Sequence, residues 1–186
     1  MNAYLETVES PAGPLVFAVD EEGGLLWLQF TDGDYERTVE QELERVGFHV
    51  RQDRERSARA RQELLEYGAG TRWEFGLSLA MVGSDWQKSV WEALTRIPFG
   101  ETRSYAEVAA MVGRPKAARA VGRANATNRL ALVVPCHRVI GADGAPTGFA
   151  GGTHLKVRLL EHESRVLAGV APGQAAAGRT TPAGVL

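Results

Sequence analysis

Residues 130–140 read Leu-Ala-Leu-Val-Val-Pro-Cys-His-Arg-Val-Ile, LALVVPCHRVI, and hold the only cysteine of the 186-residue chain. The thiolate is the nucleophilic form of cysteine, and an adjacent imidazole or guanidinium favours it, so Cys136 beside His137 and Arg138 is a candidate nucleophile. Pro135 has no amide proton to give a ladder, so a strand running through Val134 is expected to end there and leave Cys136 at a strand exit. A lone cysteine in an apolar run is also a serviceable small buried hydrophobe. The stretch by itself leaves both readings open.

Outward from it, composition narrows the classes. No apolar run approaches the roughly 20 residues needed to cross a bilayer. The start, MNAYLETVES, has neither a basic region nor an apolar core, so no secretory signal is expected and the protein is expected in the cytoplasm. One cysteine excludes an internal disulfide and fits a reducing compartment. With no second cysteine, and with His49, His137, His154 and His162 showing no useful spacing beyond the last pair, no metal site is expected. The net charge of −2 conceals a division: residues 1–84 carry 8 Lys/Arg against 16 Asp/Glu, and residues 85–186 carry 13 against 7. A polyanionic partner suits the second half and not the first.

Local patterns predict an α/β N-terminal domain over 1–82, a mainly α domain over 83–166, and a disordered Ala/Gly/Pro/Thr-rich tail over 167–186. Leu15–Val19 and Leu25–Phe30 flank a Glu-Glu-Gly-Gly turn, a hairpin signal. Asp34 can cap a helix bearing Tyr35, Val39, Leu43 and Val46, and 48–51 predicts a short strand. A second helix spans 57–67. Trp73, Phe75, Leu77 and Leu79 alternate like a half-buried strand. Ser84 or Asp85 opens a helix over 86–97, and Lys156 opens the last, over 156–166.

Between these, Ser104-Tyr-Ala-Glu107 is a capping-box pattern that starts a short helix ending near Gly113. Arg114 and Pro115 turn the chain into another helix, 116–125, which is rich in Ala and Gly and carries Arg119 and Arg123 one turn apart. Two short helices joined by a tight Gly/Pro turn suggest helix-turn-helix, and small residues let such a helix approach a groove. Packing against a neighbouring helix with the arginines in solvent is the other reading. The loop 141–152 holds five glycines and Phe149, and can wall a pocket.

A thiol and imidazole, an acidic helix and a basic helix pair together suggest thiol chemistry on an extruded DNA base. Pro135-Cys136-His137-Arg138-Val139, Arg119-Ala120-Val121-Gly122, Asn128, Gly148-Phe149-Ala150-Gly151-Gly152 and Gly100-Glu-Thr-Arg-Ser-Tyr105 carry the resemblance. On these residues the chain resembles the O6-alkylguanine-DNA alkyltransferases, also called methylated-DNA–protein-cysteine methyltransferases. The resemblance is dense over 85–165.

It implies a winged helix-turn-helix-like DNA-binding motif and stoichiometric, irreversible transfer of an alkyl group from O6 of guanine to Cys136. His137 would deprotonate the thiol through a water, and Glu163 would orient the histidine. Tyr105 would hydrogen-bond the base and crowd its phosphate, and Arg119 would fill the gap in the stack. Asn128 would hold the active-site turn, and Val139, Phe149 and Ala150 would line the pocket. Arg114, Lys116 and Arg123 would meet the DNA. No cofactor is implied. The partner is double-stranded DNA bearing alkylated guanine, with O4-alkylthymine a further candidate substrate, bound by a monomer able to cluster along DNA.

Three departures from the family pattern stand out: Phe149 where tyrosine is common, Arg129 where proline usually follows the asparagine, and Trp86 for phenylalanine. The competing reading is a non-catalytic alkylated-base binder that signals to other repair pathways; relatives of that kind lack the cysteine that this chain has.

Overall fold

Residues 13–19 alternate so regularly that both faces of the strand they form are covered: Leu15, Phe17 and Val19 point one way, Val16 and Ala18 the other, and all five are buried. This strand, β2 (Gly13–Val19), is central to the sheet of a computed structural model that describes residues 1–31, 35–149 and 151–169. Asp34, Ala150 and the tail from 170 lie outside the described residues. β2 pairs antiparallel with β1 (Asn2–Ser10) and with β3 (Leu25–Phe30), and β4 (His49–Arg51) adds parallel to β1, giving the order β3-β2-β1-β4.

Helix α1 (Tyr35–Arg45) covers one sheet face with Val39 and Leu43, against Ala3, Val16, Ala18 and Trp27. The other face packs Phe17, Leu25 and Leu28 onto α2 (Ala58–Gly68) and onto the second half of the chain. Each fully buried Leu or Phe contributes roughly 1.5–3 kcal/mol, and the same core continues through Val90, Leu94, Val121, Leu132 and Leu159.

The second half is helical. Helix α3 (Asp85–Leu94) is capped by a reciprocal Ser84–Gln87 box, and α4 (Tyr105–Met111) by the Ser104–Glu107 box expected from sequence. The turn after Gly113 leads to α5 (Ala118–Ala126), and α6 (Thr153–Leu167) begins one residue after Gly152, three residues earlier than predicted. A two-residue parallel pair joins β5 (Arg103–Ser104) to β6 (Val139–Ile140). That pairing sets Tyr105, the next residue, beside the segment that follows Cys136.

Two strand expectations are corrected. Residues 73–79 form no strand: apart from a single bridge between Leu79 and Leu25, their alternation serves side-chain packing. Phe75 stacks on Tyr67 at 5.6 Å, Trp73 stacks on Phe99 at 5.5 Å, and the Gly76 amide donates to Glu63. The run is an extended strap over α2. Nor does a strand reach Val134. The apolar run 130–134 is a buried turn, with Leu132 in the left-handed region at φ 72°, so Cys136 opens a single 3₁₀ turn, Cys136–Arg138. The run is apolar because it lies wholly inside the core, a burial that a short run cannot distinguish from a strand's.

Candidate active site

Asn128 is the residue around which the Cys136 turn closes. It follows the C-terminus of α5, is 5% exposed, and uses both ends of its amide. Its Nδ2 donates to Val134 O at 2.8 Å and to Cys136 Sγ at 3.3 Å, while its Oδ1 accepts from Leu130 N at 2.9 Å. Cys136 is 6% exposed. Burial pushes its thiol pKa up. The Asn128 hydrogen bond, the Lys156 charge and the amides of Cys136 and His137 oppose this, without reversing it.

His137 and Glu163 are fully buried, and His137 Nε2 lies 2.8 Å from Glu163 Oε1. Glu163 also accepts from Tyr67 Oη at 2.8 Å, from Gly100 N at 2.7 Å, and from the Arg138 guanidinium at 2.9–3.2 Å. Burial works against its charge, yet the hydrogen bonds and charges of His137 and Arg138 hold its pKa down to about 2. Burial lowers the His137 pKa, and Glu163 only partly restores it. Glu163 is therefore ionised and His137 neutral near pH 7. An ionised carboxylate can only accept, so the Nε2 position carries the imidazole proton and Nδ1 is the basic nitrogen. Nδ1 makes no hydrogen bond among the described residues.

Sequence spacing explains why Glu163 and not Glu161 is the partner. On α6, Lys156, Leu159 and Glu163 share the inward face, whereas Glu161 is exposed. Lys156 is a site residue that the sequence reading missed; its signal was the seven-residue interval to Glu163. Its buried ammonium donates to Val139 O, and to Thr147 O at 2.7 Å, and burial lowers its pKa to about 8. Arg138, expected to favour the thiolate, is instead buried against Glu163, with Nη1 donating to Ile97 O at 2.7 Å.

Tyr105 begins α4, and its hydroxyl donates to Thr147 O at 2.9 Å. A Cβ at Gly122 would sit 3.7 Å from its ring, an ordinary contact distance, so the ring lies close against α5. Gly148 takes φ 61°, and a Cβ there would stand 3.0 Å from the Tyr105 hydroxyl, so this wall tolerates only glycine without movement. Val139 is buried in the core, and Phe149 packs on Phe30 of β3 at 6.1 Å.

The structure thus gathers Cys136, His137, Glu163, Asn128, Tyr105 and Val139 into one region and places Phe149 at its edge. Ala150 is not among the described residues. Lys116, Arg119 and Arg123 are exposed on α5 or just before it. Arg114 is exposed too, but its guanidinium lies 5.1 Å from the Trp86 ring centroid, so part of its role is to stack on that side chain.

Residues 85–165 match the model of the 6-O-methylguanine DNA methyltransferase DNA-binding domain. The chain is 42% identical over 164 residues to the Methanosarcina barkeri methylated-DNA–protein-cysteine methyltransferase, covering 88% of this chain and 99% of that one. It is 45% identical to the constitutive Bacillus subtilis enzyme of the same name, over 86% of this chain and 94% of that one. Its fold superposes on the crystal structure of Mycobacterium tuberculosis OGT in complex with DNA with a TM-score of 0.76 at 39% identity, covering 93% and 96% of the two chains. With a sheet-bearing first half, a helical second half and a match along nearly the whole length of these relatives, the chain belongs to the methylated-DNA–protein-cysteine methyltransferase family.

Proposed function

We propose that this protein repairs double-stranded DNA by taking an alkyl group, methyl foremost, from O6 of guanine onto Cys136 in one irreversible step. The thiol proton passes through solvent to His137 Nδ1, and the sulfur bonds the alkyl carbon. The C–O6 bond breaks with its electrons kept by the base. The guanine leaves as its anion, receives a hydrogen bond from the Tyr105 hydroxyl, and regains its proton from solvent. Glu163 stabilises the imidazolium while it exists. A thioether is a poor leaving group, so each chain acts once.

The basic helix pair α4–α5 serves as a winged helix-turn-helix. Arg119 fills the gap left by the extruded nucleotide, and Arg114, Lys116 and Arg123 contact the backbone. Val139 and Phe149 line the base pocket. Residues 83–166 carry the chemistry, and residues 1–82 support it.

The observation that supports this reading best is a buried thiol held by Asn128 next to a neutral imidazole whose proton is pinned on the Glu163 side. The experiment is mass spectrometry after mixing the protein with a duplex oligonucleotide containing O6-methylguanine. A gain of one methyl per chain, located on Cys136, is expected. Many turnovers per chain, or methylation elsewhere, would sink the proposal.

A further inference from the structure

The turn that carries Asn128 is bonded to the first half of the chain as well as to its own half. Leu28 N donates to Arg129 O at 2.8 Å, and Ala131 N returns to Leu28 O at 2.9 Å. Gln29 Nε2 donates to Asn128 O at 2.5 Å. These bonds tie residues 128–131 to β3 through a single bridge between Leu28 and Leu130. On its other side the turn borders a cavity of about 240 Å³ lined mostly by apolar side chains, among them Leu43, Met81, Trp91 and Val134. Core packing holds Leu130 and Val134, but on the cavity side the turn has fewer opposing atoms.

Across that space reaches Arg129. Its guanidinium lies 4.8 Å from the Trp27 ring centroid, and its Nη2 is 3.8 Å from Glu42 Oε2 on α1. Its amide makes no hydrogen bond among the described residues, so its carbonyl and its side chain are what hold it. One residue away, the Asn128 side chain donates to the Cys136 sulfur at 3.3 Å.

We infer that Arg129 is a positioning residue: by clamping the Asn128 turn to Trp27 and Glu42 of the first half, it fixes the donor that faces the Cys136 sulfur. The acidic half of the molecule thus takes part in tuning the nucleophile. The inference rests on Cys136 being the acceptor in the proposed reaction, but it can be read from the thiol alone. Half-exposed charges contribute weakly one at a time, and a cation held over an indole adds a comparable amount, so the loss on removing the guanidinium is about three- to tenfold in thiol reactivity.

The test uses full-length Arg129→Met, which keeps the aliphatic stem, Arg129→Lys, which keeps the charge, and Glu42→Gln. For each, the rate of Cys136 alkylation by iodoacetamide is followed from pH 6 to pH 10, with duplex affinity and methyl transfer from the oligonucleotide measured alongside. Arg129→Met is expected to move the iodoacetamide profile to higher pH and to slow methyl transfer, with duplex affinity kept. Arg129→Lys should retain most of the wild-type profile, and Glu42→Gln should fall between the two.

An unmoved profile in Arg129→Met overturns the inference, as does a shift in Arg129→Lys as large as that in Arg129→Met, which would show that the charge facing Trp27 and Glu42 does not hold the turn. A fall in duplex affinity with an unmoved profile makes Arg129 a DNA contact and overturns it as well. Were wild-type protein to transfer no methyl while the iodoacetamide profiles behaved as expected, the proposed reaction would fail and the clamp would stand.

Discussion

His137 Nε2 and Glu163 Oε1 lie 2.8 Å apart with neither side chain exposed to solvent. The pair belongs to a larger network, because the same carboxylate neutralises the buried Arg138 and accepts from Tyr67 and Gly100. One carboxylate thus sets the tautomer of the imidazole and joins α6 to α2, to the segment before β5 and to the active-site turn.

Replacing Glu163 with Gln should therefore cost stability as well as activity. It leaves the Arg138 guanidinium buried and uncompensated, a loss of about 3–5 kcal/mol by analogy with broken buried pairs. Urea denaturation checks the first effect and single-turnover methyl transfer the second. A stable Glu163→Gln protein with wild-type transfer would show the network to be incidental.

Acid should destabilise the fold through the same group. Its folded pKa, about 2, lies below its ordinary value of 4.5, so the stabilisation is complete above about pH 4.5 and is lost as pH falls through about 2. A shift of this size corresponds to roughly 3 kcal/mol. Urea midpoints between pH 7 and pH 3 should decline in wild type, and Glu163→Gln should lack most of that decline.

Lys156→Met removes the ammonium that favours the thiolate. The thiol should become harder to ionise, with transfer at pH 7 slowed roughly tenfold for each unit by which its pKa rises. The wild-type group titrates at about 8, so the difference between the two proteins should narrow as pH rises beyond that value. Stopped-flow transfer rates between pH 6 and pH 9 measure it; a gap that stays constant across that range would argue for a purely structural lysine.

Asn128→Ala strips three buried hydrogen bonds from the active-site turn. Leaving Leu130 N without a partner, and Val134 O with only the Cys136 amide, should cost about 1–3 kcal/mol. Thiol alkylation should slow beyond what the loss of folded protein explains, which a comparison of rates well below the unfolding midpoint resolves.

Arg119→Ala should weaken repair in duplex DNA more than transfer from the free O6-methylguanine base, since the side chain is exposed on α5 and remote from the buried network. Equal losses in the two assays would show that it does not fill the stack. Duplex binding by wild type should weaken steeply with salt, as counterion release requires.

Much of this was legible in the linear order of residues. Cys136, His137 and Arg138 are consecutive, the Ser104–Glu107 cap is a local pattern, and the inward face of α6 follows from helical spacing; each is set by neighbours within a turn or two. Strand assignments failed where apolar alternation or apolar runs served burial without a ladder, at 73–79 and 130–134. Both segments are short, and burial by helices leaves the same imprint as burial in a sheet.

The sequence by itself therefore determined that Cys136, His137 and Arg138 stand together and that Arg114, Lys116, Arg119 and Arg123 gather about one short helix, because these groupings depend on residues a few positions apart. Only the tertiary structure decided that Glu163 also holds Arg138, Tyr67 and Gly100, that Lys156 and Arg138 are buried charges of the site, and that Arg129 meets Trp27 and Glu42. Those partners lie 9 to 102 residues from the groups they serve. They meet only when the sheet and helices close around one core, and burial then sets which charges must be paired and which proton positions are allowed.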